Sequence, residues 1–213
     1  HNDNSITALR DIPGLIVGCP SRGDDAATML RTLMALAKVD GRVCAFLEPI
    51  ALYMTKDLYA PGDGLWQTAY PSPDQAMTLG EGRVYLPEDG GSGDDLVIFT
   101  YGNGVPMSLR AARAITAKHG WSVRVVDLRW LVPLNEAFIR EQAATARRML
   151  IVDEGRRSAG VGEGIITAII EGGYGARPFR RITGADTFTP LAGAAFLVIP
   201  SEEDIVAAAD TLD

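Results

Sequence analysis

Two histidines, His1 and His119, are the only imidazoles in this chain, so a histidine-rich metal site is excluded from the start. His1 stands beside Asn2, Asp3 and Asn4, a polar setting in which an imidazole could shuttle a proton or donate a hydrogen bond in a cleft. A histidine in that place could equally be the last residue of a purification tag. His119 precedes Gly120 at the end of an amphipathic run, where a cation complements the carboxyl end of a helix. Asp153-Glu154 closes an apolar run, with Arg156 and Arg157 directly after it. Strand carboxyl ends are where open α/β sheets place ligands, so the arginines could recognise a carboxylate. Acids and arginines this close also neutralise one another readily, which favours an interface ion cluster. Asp127-Leu128-Arg129 follows another apolar run and leads through residues 131–135 into a helix that Asn135 can cap. The sequence reads residues 131–135 as a rigid loop, with Trp130 and its apolar neighbours offering a contact surface to another subunit.

Glycine-rich turns raise the question of phosphate binding. Gly102-Asn103-Gly104 lies between a strand and a helix, but position 107 is Met, so the third glycine of a dinucleotide fingerprint is missing. Gly160-Val161-Gly162-Glu163-Gly164 also opens a helix, whose unpaired N–H groups could hold an anion. Neither turn carries a Walker lysine. Tight strand-to-helix connections that need small residues account for both, and no cofactor-binding residue is assigned.

The elements that must position these residues alternate in type. The chain has 213 residues with 47 % hydrophobic and 22 % charged, an ordinary globular mixture. Its net charge of -7 disfavours a nucleic-acid partner. No apolar run approaches the ~20 residues a membrane helix needs, and the first residues show no signal-peptide core. Cys19 and Cys44 sit in apolar stretches and read as buried reduced thiols, consistent with a cytoplasmic protein.

A short helix is expected over Ser5–Arg10, then a buried strand over Leu15–Cys19 stopped by Pro20. Ser21 or Asp24 can cap a helix through Lys38 that buries Ala26, Met29, Leu30, Leu33 and Leu36. A strand over Val43–Leu47 completes a βαβ unit. Residues 53–81 are rich in Pro and Gly without apolar period, an irregular linker or lid. Arg83–Leu86 reads as an edge strand. Strands over Leu96–Thr100, Ser122–Val126, Met149–Val152 and Phe179–Ile182 then alternate with helices over Pro106–His119, Glu136–Ala146, Gly162–Glu171 and Glu202–Leu212. That order predicts an α/β fold: an open, mostly parallel sheet with helices on both faces.

Taken together, HNDNSITALRDIPGLIVGCPSRGDDAATML, FLEPIALY, LVIFTYGNGVPMSLRAARAI, VRVVDLRWLVPLNEAFI, LIVDEGRRSAGVGEGI, RITGADTFTP and IPSEEDIVAAADTL resemble the beta subunit of thiamine-diphosphate-dependent 2-oxoacid dehydrogenases, in the transketolase-like superfamily. They occur in family order and cover nearly the whole chain except residues 54–80, which differ from the common pattern and suggest a divergent subfamily. The resemblance implies that residues 1–55 are the C-terminal portion of a pyrimidine-binding domain, 56–81 a linker or lid, and 82–213 a transketolase C-terminal domain.

It also implies that His1 is native and helps to position or protonate the 2-oxoacid adduct. The implied reaction is oxidative decarboxylation of a 2-oxoacid with acyl transfer to a lipoyl group. The implied cofactors are thiamine diphosphate and magnesium, held mainly by parts outside this sequence, so this piece alone would be inactive and serve in assembly. The family often holds potassium with carbonyls near a helix end, which carried over gives Leu33 and Asp40; the stretch MALAKVDGR is longer here than in the family. Implied partners are an alpha subunit or domain, a second beta subunit and a dihydrolipoyl acyltransferase, with neither nucleic acid nor membrane. Two other readings stay open: the corresponding part of a transketolase or deoxyxylulose-phosphate synthase, and a non-catalytic dimerisation or docking module.

Overall fold

The computed structural model describes residues 5–212. In chain order the elements are α1 (Ile6–Arg10), β1 (Ile16–Gly18), α2 (Gly23–Val39), β2 (Cys44–Phe46), β3 (Arg83–Tyr85), β4 (Leu96–Thr100), α3 (Gly104–His119), β5 (Val123–Asp127), β6 (Trp130–Val132), α4 (Glu136–Thr145), β7 (Met149–Arg156), α5 (Val161–Glu171), β8 (Phe179–Gly184) and α6 (Glu202–Asp210). Short 3-10 turns occur at Ile50–Leu52 and Ala192–Leu197. Among the described residues, no helix is long and apolar enough to cross a membrane.

The large sheet has five strands in the order β3-β5-β4-β7-β8. Its pairs are parallel except β3, which runs antiparallel to β5 at the edge. Side chains alternate across a strand, so β4 sends Leu96 and Ile98 to one face and Val97 and Phe99 to the other. Both sets are fully buried, because helices cover both faces. Leu96 and Ile98 share a core with Ala111 and Ile115 of α3 and Ile205 and Ala209 of α6. Val97 and Phe99 share the opposite core with Ile139 of α4 and Ile165 and Ile169 of α5. The expected open α/β sheet with helices on both faces is what the chain forms.

A second sheet of three strands has the order β2-β1-β6, with β2 parallel and β6 antiparallel to β1. Here the structure corrects the sequence reading, which left residues 130–132 outside any strand. Trp130 is 1 % exposed and packs with Met29 and Leu33 of α2, so it is core and not a surface for another subunit. The reason is the antiparallel pairing of Gly18 with Trp130 and Val17 with Val132, which turns the indole inward beneath α2. Β1 joins the two cores: Ile16 faces α2, whereas Val17 belongs to the core under α4 and α5.

Two smaller expectations also fail. Leu30 on α2 is 46 % exposed, because a sheet this narrow covers only a Met29–Leu33 stripe of the helix. Cys44 is only half-buried, since β2 is an edge strand, while Cys19 is buried; neither forms a disulfide. Residues 53–81 do lack helix and strand. Asp63 organises part of this segment by accepting from the backbone N–H groups of Leu58, Tyr59, Ala60 and Leu65, and Trp66 anchors it by donating to the Ser21 carbonyl at 3.1 Å.

Candidate functional site

In the large sheet the parallel strands β4 and β7 are neighbours, whereas β5, which follows β4 in the chain, lies on the other side of it. The chain therefore reverses its winding between β4 and β7, and crevices outside strand carboxyl ends at such a point bind ligands in open α/β sheets. Tyr101, Gly102 and Asn103 follow β4 there, beside Asp153 and Glu154 of β7. The small sheet brings its own strand ends to the same place: Cys19 after β1, and Leu47, Glu48 and Pro49 after β2. The result is a cleft of about 450 Å³, closed on its far side by Thr189, Ala195 and Ile199.

Asp153 and Glu154 behave differently from the expected ion cluster. Asp153 is fully buried and accepts from the Tyr101 hydroxyl at 2.7 Å, the Gly155 N–H at 2.9 Å and the Gly162 N–H at 2.7 Å. The Gly162 bond satisfies one of the open donors at the start of α5. The anion held by the glycine turn at 160–164 is thus the chain's own carboxylate. A Cβ at Gly160 would lie 2.6 Å from Asp153 Oδ2 and from the Arg156 carbonyl, which explains a glycine there without invoking a ligand. Glu154 accepts from Asn103 Nδ2 at 2.9 and 3.1 Å. Burial raises its carboxyl pKa, opposed by the Asn103 bond and reinforced by Asp153. Arg156 instead lies over the Phe188 ring and donates to the Thr187 carbonyl. Asp153 is thus buried within the sheet, Glu154 lines the cleft, and Arg156 reaches the 187–188 loop.

The turn at 102–104 is as tight as its glycines imply. Gly104 N–H donates to the Tyr101 carbonyl at 3.0 Å and Val105 N–H to the Gly102 carbonyl at 3.2 Å, and a Cβ on Gly104 would lie 2.0 Å from Thr100 Oγ1. The N–H groups of Gly104 and Val105 are thus spent within the turn and are not donors for a phosphate.

A second polar group sits on the other side of the small sheet, where β5, α2 and β3 meet. Asp127 is fully buried and accepts from Ser21 Oγ at 2.5 Å and the Arg129 N–H at 3.1 Å. Arg129 and Arg83 each lie 2.9 Å from Asp25 Oδ1, and Arg83 also reaches Asp24 at 3.1 Å. Burial pushes the Asp127 carboxyl up to about 7, countered by Ser21 and raised further by Asp25. Arg129 takes φ 60 to bring its guanidinium back to α2, and its carbonyl accepts from Cys19 N–H at 2.7 Å. This arrangement ties the two sheets together.

The other predicted positions are dispersed. His1 lies outside the described residues. Leu33 is buried beneath α2 and Asp40 caps its exposed end, seven residues on, about 10 Å along the axis. A potassium ion there would draw on one of them, not both. His119 meets its expectation: it ends α3 before Gly120 at φ 68, bonds Asp210 at 2.8 Å and stacks on Trp121. Asn135 caps α4 by accepting from Phe138 N–H at 3.0 Å. Glu48, and the pairing of Asn103 with Glu154, were not singled out from the sequence. Their signal was positional, since each stands within three residues of a parallel strand's carboxyl end.

Thiamine diphosphate demands cationic or N–H partners for its phosphates and ligands for a divalent metal. Among the described residues, no group of three or more His, Cys, Asp or Glu converges as a metal site, no Lys or Arg lines the cleft, and both glycine turns are closed. The described part of the chain does not fit a diphosphate with its metal.

The fold and this cleft define an α/β domain of the transketolase type, and comparison with known proteins agrees. The family model for the transketolase C-terminal domain matches residues 88–205, so the chain belongs to that family, in the transketolase-like superfamily. Among curated proteins, the pyruvate dehydrogenase E1 component subunit beta of Staphylococcus aureus is 30 % identical over 208 residues, covering 97 % of this chain and 58 % of that protein. The protein of the same name from Staphylococcus epidermidis is 28 % identical over the same length. The chain thus spans less than two thirds of the length of these relatives. A solved structure, described as a split gene transketolase in an inactive beta4 tetramer, matches with a TM-score of 0.72 at 20 % identity, over 97 % of this chain and 59 % of that one. That likeness concerns the fold.

Proposed function

We propose that this chain is the C-terminal part of the beta subunit of a 2-oxoacid dehydrogenase's decarboxylating component. The whole enzyme would carry out thiamine-dependent oxidative decarboxylation of a 2-oxoacid and pass the acyl group to a lipoyl arm. The observation that carries this reading is the match to an E1 beta subunit over 97 % of the chain, which extends through the small-sheet region as well as the C-terminal domain. In this reading residues 1–55 close a pyrimidine-binding unit, 56–81 link it, and 82–213 form the C-terminal domain. Thiamine diphosphate and magnesium would be held by an alpha subunit or domain and by upstream parts.

The piece by itself would be inactive and would act in assembly with an alpha subunit, a second beta subunit and a dihydrolipoyl acyltransferase. His1 is assigned as the group that positions or protonates the 2-oxoacid adduct, a role typically worth about 10²–10⁴-fold. The test is His1→Ala in the full-length protein, assayed with a 2-oxoacid and an artificial electron acceptor. We expect decarboxylation to fall by at least about 100-fold with the fold intact. Unchanged turnover would remove His1 from the mechanism. Turnover of sugar phosphates in place of 2-oxoacids by the unmodified enzyme would move the chain to a transketolase or deoxyxylulose-phosphate synthase.

A further inference from the structure

Four acids and three arginines gather where β5, β3 and the start of α2 meet. Asp25 Oδ1 takes Arg83 and Arg129, Asp24 lies against Arg83 and Arg22, and Glu81 is 3.7 Å from Arg129. Those pairings use all three arginines. Asp127, 0 % exposed, has no ion pair among the described residues and is held by Ser21 Oγ and the Arg129 N–H. The remaining groups that face it carry no charge near neutral pH: Thr100 opposite it on β4, and Tyr85 of β3 and the Cys19 thiol, both of which burial pushes up. With Asp24, Asp25 and Glu81 ionised, the group is neutral only while Asp127 keeps a proton. Ionising Asp127 adds a buried charge that no cation answers and that Asp25 repels. Ser21 joins three parts of the chain at this point. Its hydroxyl reaches Asp127 on the large sheet, α2 starts two residues after it, and its carbonyl accepts from Trp66 Nε1 at 3.1 Å. Trp66 is 4 % exposed and packs with Leu58 and Val105, so it fastens the irregular 53–81 segment.

We propose that Asp127, Ser21 and Trp66 form a proton-operated latch, closed while the acid–arginine group holds its one extra proton and loosened by its loss, which frees the start of α2 and residues 64–68 from the large sheet together. A carboxylate sealed from water without a cation is the physical cause. The change falls near neutral pH, since burial and Asp25 push the Asp127 carboxyl up to about 7. A group whose pKa is raised on folding stabilises the closed state below that value and ceases to do so above it, so the latch loosens as pH rises. The proposal does not rest on the thiamine reading.

Hydrogen exchange of the full-length protein, followed by mass spectrometry from pH 6 to 8 at several low urea concentrations and corrected for intrinsic exchange, tests the latch. Amides of residues 20–26 and 64–68 should lose about tenfold in protection between pH 6 and 8, as the release of one proton near 7 requires. Their exchange should be almost independent of urea, because a local opening exposes little surface. Asp127→Asn, which cannot ionise, should remove the pH dependence at these amides. Should that variant fail to fold, Glu81→Gln serves in its place. The Glu81 side chain is 54 % exposed, so the change leaves the core intact. With one acid fewer the group is neutral with Asp127 ionised, and the loss of protection should shrink. Exchange of these amides only by global unfolding, with the same urea dependence as β4, would overturn the latch. So would a tenfold loss that persists in folded Asp127→Asn or in Glu81→Gln.

Discussion

Asp127 shows how a single side chain can make a fold sensitive to pH. Its carboxyl is sealed between β5 and α2, bonded to Ser21 Oγ and the Arg129 N–H, with Asp25 close by. In the unfolded chain it titrates near 3.9, in the folded chain at about 7. The folded state therefore holds the extra proton between those values, so this group's contribution is fully present below about 4 and is lost as pH rises through about 7. Asp127→Asn should flatten the pH dependence of stability over that interval, by up to about 1.4 kcal/mol per pH unit. Urea unfolding of both proteins from pH 4 to 8 measures it, and parallel curves would show that Asp127 keeps an ordinary pKa. Asp153, equally buried, has three donors converging on it, and one of them starts α5. The sequence placed both aspartates at strand ends, which holds for Asp127, whereas β7 runs on past Asp153 to Arg156. It could not reveal that one binds a hydroxyl and the other a helix start, since these partners come from residues 106 and 9 positions away.

Among the elements, those with a strong local pattern were legible. Β4 falls on Leu96–Thr100 as read, α6 begins after Ser201 with a complete capping box, and α4 begins at the Asn135 cap. Β6 was not legible, because a three-residue strand has too few positions for a period, and its existence depends on a partner, β1, more than a hundred residues earlier. The stripe on α2 was overread for the same reason: Met29, Leu30 and Leu33 are equivalent by spacing, and only the width of the sheet beneath decides which of them is covered. This separates two substitutions sharply. Trp130→Ala should destabilise by about 3–5 kcal/mol, as expected for a large side chain removed from a filled core. Leu30→Ala, at a half-exposed site, should cost under about 1 kcal/mol. Chemical denaturation of the two variants tests the order, and a mild Trp130→Ala would mean that β6 does not hold its place.

Considered as a whole molecule, the chain does not divide as cleanly as its sequence suggests. The proposed boundary separates residues 1–55 from 82–213, yet β6, from the later part, completes the sheet of the earlier one. Val17 and Cys19 also belong to the core beneath α4 and α5. Residues 82–213 made alone should keep the five-stranded sheet but leave β6 unpaired and Trp130 wet. The expected signature is red-shifted tryptophan emission and a lower unfolding midpoint than the full chain; a buried indole in that piece would mean that the C-terminal unit is complete without β1. The order of residues by itself determined the alternation of strands and helices, the parallel sheet buried on both faces, and the family, because periodicity, caps and turn residues act over a few positions and survive in one dimension. Only the tertiary structure decided that β6 joins the first sheet, that Asp153 caps α5 instead of pairing with arginine, and that the carboxyl ends of four strands, β1, β2, β4 and β7, meet in one acidic cleft. Those outcomes depend on contacts between distant residues, whose closeness is set by how two sheets stack and not by any local preference.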